Sequence, residues 1–450
     1  MIHSIAEAKK SDLAGKVVFL RGSADVPMKD DMDIHDISRI KDASRIDSFL
    51  PTLEYLMQNG ARVVLQPGWV GRPVGAQKEF STIPVFLYIK DRLEKKGLKN
   101  KISFCPSEVN GELRSIAKNF PMVKKAISLL KDGQVLVLEN PRFDDVYDKG
   151  DEAYAKTLAS MVDVYVADDF AQRHRPAADI VPMAKMMKKK YAGFSLMSEI
   201  EYVRKMAKEL EKKNRKPFVF ILAGKKIETK PGVVSKITVA LKLLDRMKKG
   251  DCILTGGALA YAFLAAKMCM KKIEAYQGAM ITLDEVKAVT GSSYIPEEGP
   301  VDQVVLAGHV LMKAKEKGIP VVIPQDHLIA KGEETKVSAT IPAGWAGVDI
   351  GPKTTKQYVD AIMAAGFVVM AGPVGMFDKK LPQAAAGSTA VAKALADATK
   401  KGVVTVSAGG ESTLLVNTVG VKISHASIGG GSTLEFMEKG SLPGIDALES

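Results

Sequence analysis

The chain has little cysteine. Cys105, Cys252 and Cys269 stand far apart among 450 residues; they show no metal-ligand spacing and suit a reducing compartment. Aromatic residues make up 6%, with two tryptophans, so the stacking platforms used by single-stranded nucleic acids are not evident. No apolar run approaches the roughly 18 residues of a membrane span. The most apolar stretch, YAFLAAKMCM from Tyr261, is short and broken by Lys267. The opening residues, MIHSIAEAKKSDLAG, carry no apolar signal core. No GxxxxGK[ST] phosphate loop occurs. These absences lead to the expectation of a cytoplasmic protein without a membrane or nucleic-acid partner.

What is present fits a large globular protein. Hydrophobic residues are 46% and charged residues 26%, enough to bury sizeable cores in two or three domains. The formal net charge of +12 fits nucleic-acid binding or a solvated surface serving an anionic small molecule. Lysines are dispersed over helical patterns such as EYVRKMAKELEKKNRK, which favours the second.

Short β-branched runs alternate with helical patterns. Strands are expected at VVFL (17–20), RVVL (62–65), ISF (102–104), VLVL (135–138) and VYVAD (164–168), then at FVFIL (218–222), CIL (252–254), VVI (321–323), VVM (368–370) and VVTVS (403–407). Apolar strands alternating with helices indicate parallel sheets covered on both faces. The strands are too many for one doubly wound sheet, so two α/β domains are expected. Between them, Leu196, Ile200, Val203, Ala207 and Leu210 fall on one face of a helix over 195–212, either a hinge element or an ordinary surface helix.

Chemistry gathers where strands end. In the second half glycines follow strands in FILAGKKIETKPG, ILTGGALAY, VVMAGPVGMFD, TVSAGGEST and ASIGGGST. Ligands of open α/β sheets bind at that edge, and glycine lets backbone N–H groups approach a phosphate. The GGG of Gly429, Gly430 and Gly431 is by itself a flexible turn or a phosphate cradle; four companion turns favour the cradle. Lys226 and Lys230 offer two ammonium groups to a polyphosphate. In the first half, strand ends and the turns after them carry arginines instead: Arg21, Arg72, Arg142, and Arg173 and Arg175 on either side of His174, with Arg45 opening a helix pattern. Guanidinium groups so placed suggest a cup for a small, multiply charged anion. One lobe for a nucleotide and one for an anionic acceptor is what phosphoryl transfer needs.

The blocks GRP (71–73), LENPRF (138–143), DVYVADDF with HR (163–175), KPFVFILAGKK (216–226), IPAGWAGVDIGPKT (341–354), GPVGMFD (372–378), SHASIGGGSTLE (424–435) and LPGIDAL (442–448) resemble, in order and over nearly the whole chain, those of phosphoglycerate kinases. The resemblance implies two Rossmann-like doubly wound domains joined by a hinge helix. It implies reversible, magnesium-dependent phosphoryl transfer between ATP or ADP and the carboxylate of 3-phosphoglycerate in glycolysis, by a monomer. Arg21, Arg45, Arg72, Arg142 and Arg175, with Ser23, Asp25, Trp69 and His174, would hold the acceptor. Arg45, Lys226, Gly410 and Gly431 would act on the transferring group. Lys226, Lys230, Gly256, Gly257, Gly347, Pro373, Asp378, Gly409, Gly410, Glu411, Ser412 and the glycine triplet would bind the nucleotide, with Glu411 next to magnesium.

The chain departs from the family pattern at these sites. Ser23 stands for Asp, Asp25 for Asn, Trp69 for His, Thr229 for Asp, Ala371 for Asn, Glu411 for Asp, Ser412 for Thr and Ile428 for Thr. A same-fold kinase for a different anionic carboxylic acid, or a catalytically impaired nucleotide-binding relative, therefore stands beside the main reading. The expected domains are 1–194 for the acceptor, 195–212 for the hinge helix, 213–425 for the nucleotide, and 426–450 returning to the first domain.

Overall fold

The computed structural model describes residues 1–29, 32–105, 108–109, 112–224, 235–275, 280–293, 300–377 and 382–449. They form two compact units, Met1–Glu201 with Ser441–Ser450, and Tyr202–Gly440.

The first unit contains β1 (Val17–Arg21), β2 (Arg62–Gln66), β3 (Ile102–Phe104), β4 (Glu108–Val109), β5 (Glu112–Leu113), β6 (Val135–Val137), β7 (Val164–Ala167) and β8 (Lys190–Ala192). Six of these make a parallel sheet in the order β3-β6-β2-β1-β7-β8, while β4 and β5 pair as an antiparallel hairpin. β1, β2 and β7 are buried almost throughout, which is why they read as apolar runs without alternation. Phe49, Leu53 and Leu56 of the helix Ser44–Gln58, and Val85, Ile89 and Leu93 of the helix Ile83–Lys95, join Val18, Leu20, Val63 and Leu65 in one core. Each such side chain contributes about 1.5–3 kcal/mol by leaving water. Register sets the working edge: Arg21 lies between Gln66 and Ala167, so three central strands end level.

The second unit contains β9 (Phe218–Leu222), β10 (Cys252–Thr255), β11 (Val321–Val322), β12 (His327–Lys331), β13 (Glu334–Ser338), β14 (Ala346–Ile350), β15 (Phe367–Ala371), β16 (Val404–Ala408) and β17 (His425–Ser427). Its parallel sheet runs β11-β10-β9-β15-β16-β17. Leu222 lies between Thr255 and Ala371, and Ala408 lies beside Ser427. The glycine turns thus begin at one common level.

All ten expected strands form, within a residue or two of their expected ends. The sequence reading missed the antiparallel sheet β13-β12-β14. Its strand ETKVS is largely exposed and offers no apolar run. The linking helix spans Phe194–Glu211, and the boundary between units falls inside it. Met206, not Ala207, completes its buried stripe with Leu196, Ile200, Val203 and Leu210.

The return to the first unit was expected from residue 426 and begins at Ser441. The helix Gly431–Lys439 stays with the second unit because Arg246 donates to the Met437 carbonyl at 2.8 Å and Lys242 pairs with Glu438. Past it, Leu442, Ile445 and Leu448 are buried, and the Gly444 N–H donates to the Arg173 carbonyl at 2.9 Å.

Candidate active site

The edge of the first unit is built from side chains. Arg21 closes β1 and is fully buried. Its Nε stands 2.9 Å from Asp179 Oδ2, an ion pair outside hydrogen-bond alignment. Its Nη2 donates to the Tyr147 hydroxyl at 3.1 Å, and Tyr147 donates to Asp179 at 2.6 Å. Burial alone would lower the Arg21 pKa; Asp179, Tyr147 and Asp169 more than reverse this and hold it well above the usual arginine value. A second buried guanidinium, Arg173, donates to Asp169 through Nε at 2.7 Å and to the Tyr165 hydroxyl at 3.0 Å. Arg21 is therefore not presented to solvent as the sequence suggested. Its charge is met by carboxylates inside the unit.

The other expected acceptor residues take distinct positions. Arg45, the second residue of the helix Ser44–Gln58, donates to the Asp25 carbonyl at 2.7 Å and to Asp25 Oδ2 at 3.2 Å. Arg142 sits in the turn Pro141–Phe143; it donates to the Gly71 carbonyl at 2.9 Å and pairs with Asp148 at 3.0 Å. Trp69 is buried between glycines in the left-handed region, Gly68 and Gly71. The Arg142 guanidinium carbon lies 4.0 Å from the centre of its ring, that of Arg21 5.3 Å. Arg72 is exposed and makes no hydrogen bond or ion pair among the described residues. His174 and Arg175 are half-buried on the turn after β7. Among the described residues the Nε of Arg175, the hydroxyl of Ser23 and the amide of Gln172 are buried without a hydrogen-bond partner. A Cβ on Gly68 would lie 3.2 Å from Arg21 Nη1 and 3.4 Å from Gln172 Nε2. Gln172 thus joins the floor of the cup, and sequence reasoning missed it along with Tyr147, Asp169 and Asp179; Arg173, expected among the strand-end arginines, is instead fully buried on Asp169. The available signal was DDFAQRHRPAAD, charges of both signs directly after a buried strand.

The edge of the second unit is built from backbone. A Cβ on Gly257 would lie 2.8 Å from the Gly224 nitrogen, and one on Gly372 would lie 2.1 Å from the Ala223 carbonyl. A Cβ on Gly409 would lie 3.2 Å from the Gly430 Cα. Gly224, Gly257, Gly372, Gly409 and Gly430 all have positive φ, which only glycine adopts freely. The turns after β9, β10, β15, β16 and β17 therefore touch in a continuous mat. Gly256 and Pro373 belong to it: the Gly257 N–H donates to the Val374 carbonyl at 2.6 Å, and the Pro373 carbonyl lies 3.0 Å from a Cβ on Gly257.

Two helices start on this mat, Gly410–Val419 and Gly431–Lys439. Their first N–H groups have no acceptor inside the helix and carry its positive dipole end. The Ser412 hydroxyl accepts from the Gly372 N–H at 2.7 Å and binds the turns together. Ile428 is half-buried and Ala371 fully buried. Glu411, in the first turn, makes no hydrogen bond or ion pair among the described residues. Its Oε2 and Lys236 Nζ lie 3.4 and 3.0 Å from the Cβ position of Gly224. Lys236 donates to the Ala223 and Ala371 carbonyls at 2.8 and 3.0 Å. Sequence reasoning missed this lysine; the signal was its place directly after the helix cap Ser235.

Gly347 lies on β14, where a Cβ would fall 2.2 Å from the Tyr261 hydroxyl, and its N–H donates to Ser293 at 2.9 Å. Lys226, Thr229, Lys230 and Asp378 lie outside the described residues.

Guanidinium groups at one edge, and at another helix N-termini beside a carboxylate with no hydrogen bond or ion pair among the described residues, are groups that phosphoryl transfer uses. A model of the phosphoglycerate kinase family matches residues 8–440. The chain is 36% identical over 455 residues to a cytosolic phosphoglycerate kinase 3 of Arabidopsis thaliana, covering 99% of this chain and 98% of that one. It is 36% identical over 447 residues to a phosphoglycerate kinase of Thermosipho africanus, covering 97% and 96%. The solved structure of phosphoglycerate kinase from Coxiella burnetii matches with a TM-score of 0.70 at 25% identity, covering 100% of this chain and 99% of that one. The chain belongs to the phosphoglycerate kinase family, whose kinases pass phosphate to a carboxyl group.

Proposed function

We propose that this chain transfers a phosphoryl group reversibly between ATP and the carboxylate of 3-phosphoglycerate. The observation that carries this reading is the glycine mat at the strand ends of the second unit, with two helix N-termini opening on it. A polyphosphate laid there would accept from the N–H groups of Gly410, Gly430 and Gly431. Lys236 would add an ammonium group beside them, and Lys226 and Lys230 two more, with Gly347 and Asp378 toward the nucleoside.

Glu411 fits magnesium, which takes one or two carboxylates and fills its remaining positions from phosphates and water. Among the described residues its carboxylate makes no hydrogen bond or ion pair, and no group of three or more His, Cys, Asp or Glu competes for the ion. Bound there, the ion would neutralise charge on the β- and γ-phosphates. Arg72, Arg142 and Arg175 would hold the acceptor's phosphate. Arg45 would exchange Asp25 for the acceptor's carboxylate and stabilise the transferring group. His174 needs no role as a base, because the attacking carboxylate already lacks a proton. Bending at the linking helix would bring the reactants together and exclude water. The protein would work as a cytoplasmic monomer, and no described helix is long and apolar enough to cross a membrane.

A coupled assay with 3-phosphoglycerate and Mg-ATP tests this: turnover is expected. A second reading, a kinase for another carboxylic acid, draws on the burial of Arg21 and the Asp25–Arg45 pair. Mg-ATP binding without turnover of 3-phosphoglycerate would favour it, and absence of Mg-ATP binding would overturn both.

A further inference from the structure

Trp69 occupies an unusual place for an indole. It is 4% exposed, yet its loop also carries the exposed Arg72. Left-handed glycines on either side turn the ring inward, and a side chain on Gly71 would collide with Phe80. The Tyr147 ring meets it edge-on, with centroids 6.2 Å apart at 71°. Tyr147 is itself fixed by Arg21 and Asp179. The indole therefore rests on a buried, charge-paired base that does not move freely.

Arg142 rests on the indole in turn. Its guanidinium carbon is 4.0 Å from the ring centre, at stacking distance. One edge is held by the Gly71 carbonyl and Asp148. The side chain of Arg142 is 13% exposed, against 0% for Arg21. Of the two cations on the ring, only Arg142 retains access to solvent. A guanidinium stacked on an aromatic face keeps its plane fixed while its remaining N–H groups stay free to donate.

We propose that Trp69 is a specificity-determining positioning residue. It locks the plane of Arg142 and so selects acceptors whose anionic group meets that guanidinium in its fixed orientation. The proposal rests on the reading of this edge as the acceptor cup. The buried network of Asp179, Tyr147 and Arg21 supports the ring from below, and the acceptor replaces Asp148 or adds to it from outside. Trp69 acts through Arg142 and touches no reacting atom, so its loss changes acceptor affinity rather than the chemical step.

The test compares Trp69→Phe with Trp69→Leu in the 3-phosphoglycerate assay. Trp69→Leu removes the π face but keeps an apolar side chain; it should raise the acceptor KM about tenfold, with kcat and the ATP KM changed less than about twofold. Trp69→Phe should restore most of the acceptor affinity. Equal KM values for the two variants would overturn the proposal while leaving turnover intact, and so would a fall in kcat alone. Absence of turnover in the unaltered chain would instead overturn the acceptor reading.

A second measurement covers the case in which Trp69→Leu does not fold. The chain has two tryptophans, so Trp345→Phe leaves Trp69 as the sole indole emitter. Titrating that variant with 3-phosphoglycerate, without nucleotide, should shift or quench the emission as the charge above the ring is rearranged. Saturable binding by calorimetry with no change in emission would overturn the proposal.

Discussion

The two edges proposed to hold phosphate are built of different materials. The first unit carries guanidinium groups, and three of them are held by other side chains: Arg21 by Asp179 and Asp169, Arg45 by Asp25, Arg142 by Asp148 and Trp69. The second unit uses backbone, where nothing needs holding because the N–H groups are fixed by the turns themselves. Side-chain recognition can be retuned by exchanging a partner. Backbone recognition can be kept or lost but hardly adjusted. The difference teaches where divergence is tolerated: side chains change at both edges, Ser23, Asp25 and Trp69 at the first and Ala371, Glu411, Ser412 and Ile428 at the second, while glycines remain at the close approaches of the mat.

The comparison can be broken most sharply at Arg21. Arg21→Met leaves Asp179 buried without its cation, while Asp169 keeps Arg173, and should cost about 3–5 kcal/mol. Urea unfolding should show that loss in the first unit, and an unchanged midpoint would mean that Arg21 is not the counter-ion described. On the other side, Gly372→Ala combines a φ of 114° with a Cβ 2.1 Å from a carbonyl. Strain of this kind costs on the order of 1–3 kcal/mol, and calorimetry should show Mg-ATP affinity falling at least about tenfold with acceptor affinity kept.

A third effect touches both units alike. Burial raises the carboxyl of Asp168 in the first unit and of Asp349 in the second to about 7. Unfolded aspartate titrates near about 4. Between those values the folded chain holds a proton that the unfolded chain has released. Stability therefore falls as pH rises from about 4 to about 7, by ~1.4 kcal/mol per pH unit for each group, and levels off above. Asp349→Asn and Asp168→Asn should each flatten their share of that slope in thermal melts at several pH values. Asp168 also accepts from the Leu196 N–H at 2.7 Å at the start of the linking helix, so its variant reads the helix anchor too. The smallest expected effect is that of Asp25→Asn. A partly exposed pair contributes about 0–1 kcal/mol, so freeing Arg45 should lower the acceptor KM only about threefold; a rise in KM would show that Asp25 helps to hold the acceptor.

The legibility of the two edges follows the same division. Ten strands and the linking helix were readable because buried parallel strands are continuous apolar runs and helices keep their period. The glycine turns were readable because glycine after a strand has few other uses. The antiparallel sheet was not, since ETKVS is mostly exposed and carries no such run. Nor was the fate of Arg21. A sequence places an arginine at a strand end, but whether it faces solvent or a carboxylate depends on Asp179 and Tyr147, which arrive from distant turns. Lys236 escaped notice for a related reason, because its partners are the carbonyls of Ala223 and Ala371, at the ends of two strands that only the sheet brings side by side.

The segment after Ser441 has one more consequence. Its Gly444 hydrogen-bonds Arg173 in both directions, and Lys190 donates to the Ala447 carbonyl at 3.0 Å. These contacts close the first unit, yet the ribosome makes them only after all of residues 202–440. The first unit to be synthesised is thus the last to be completed, and it waits, with the surface that Leu442, Ile445 and Leu448 will cover still open, for the whole second unit to emerge.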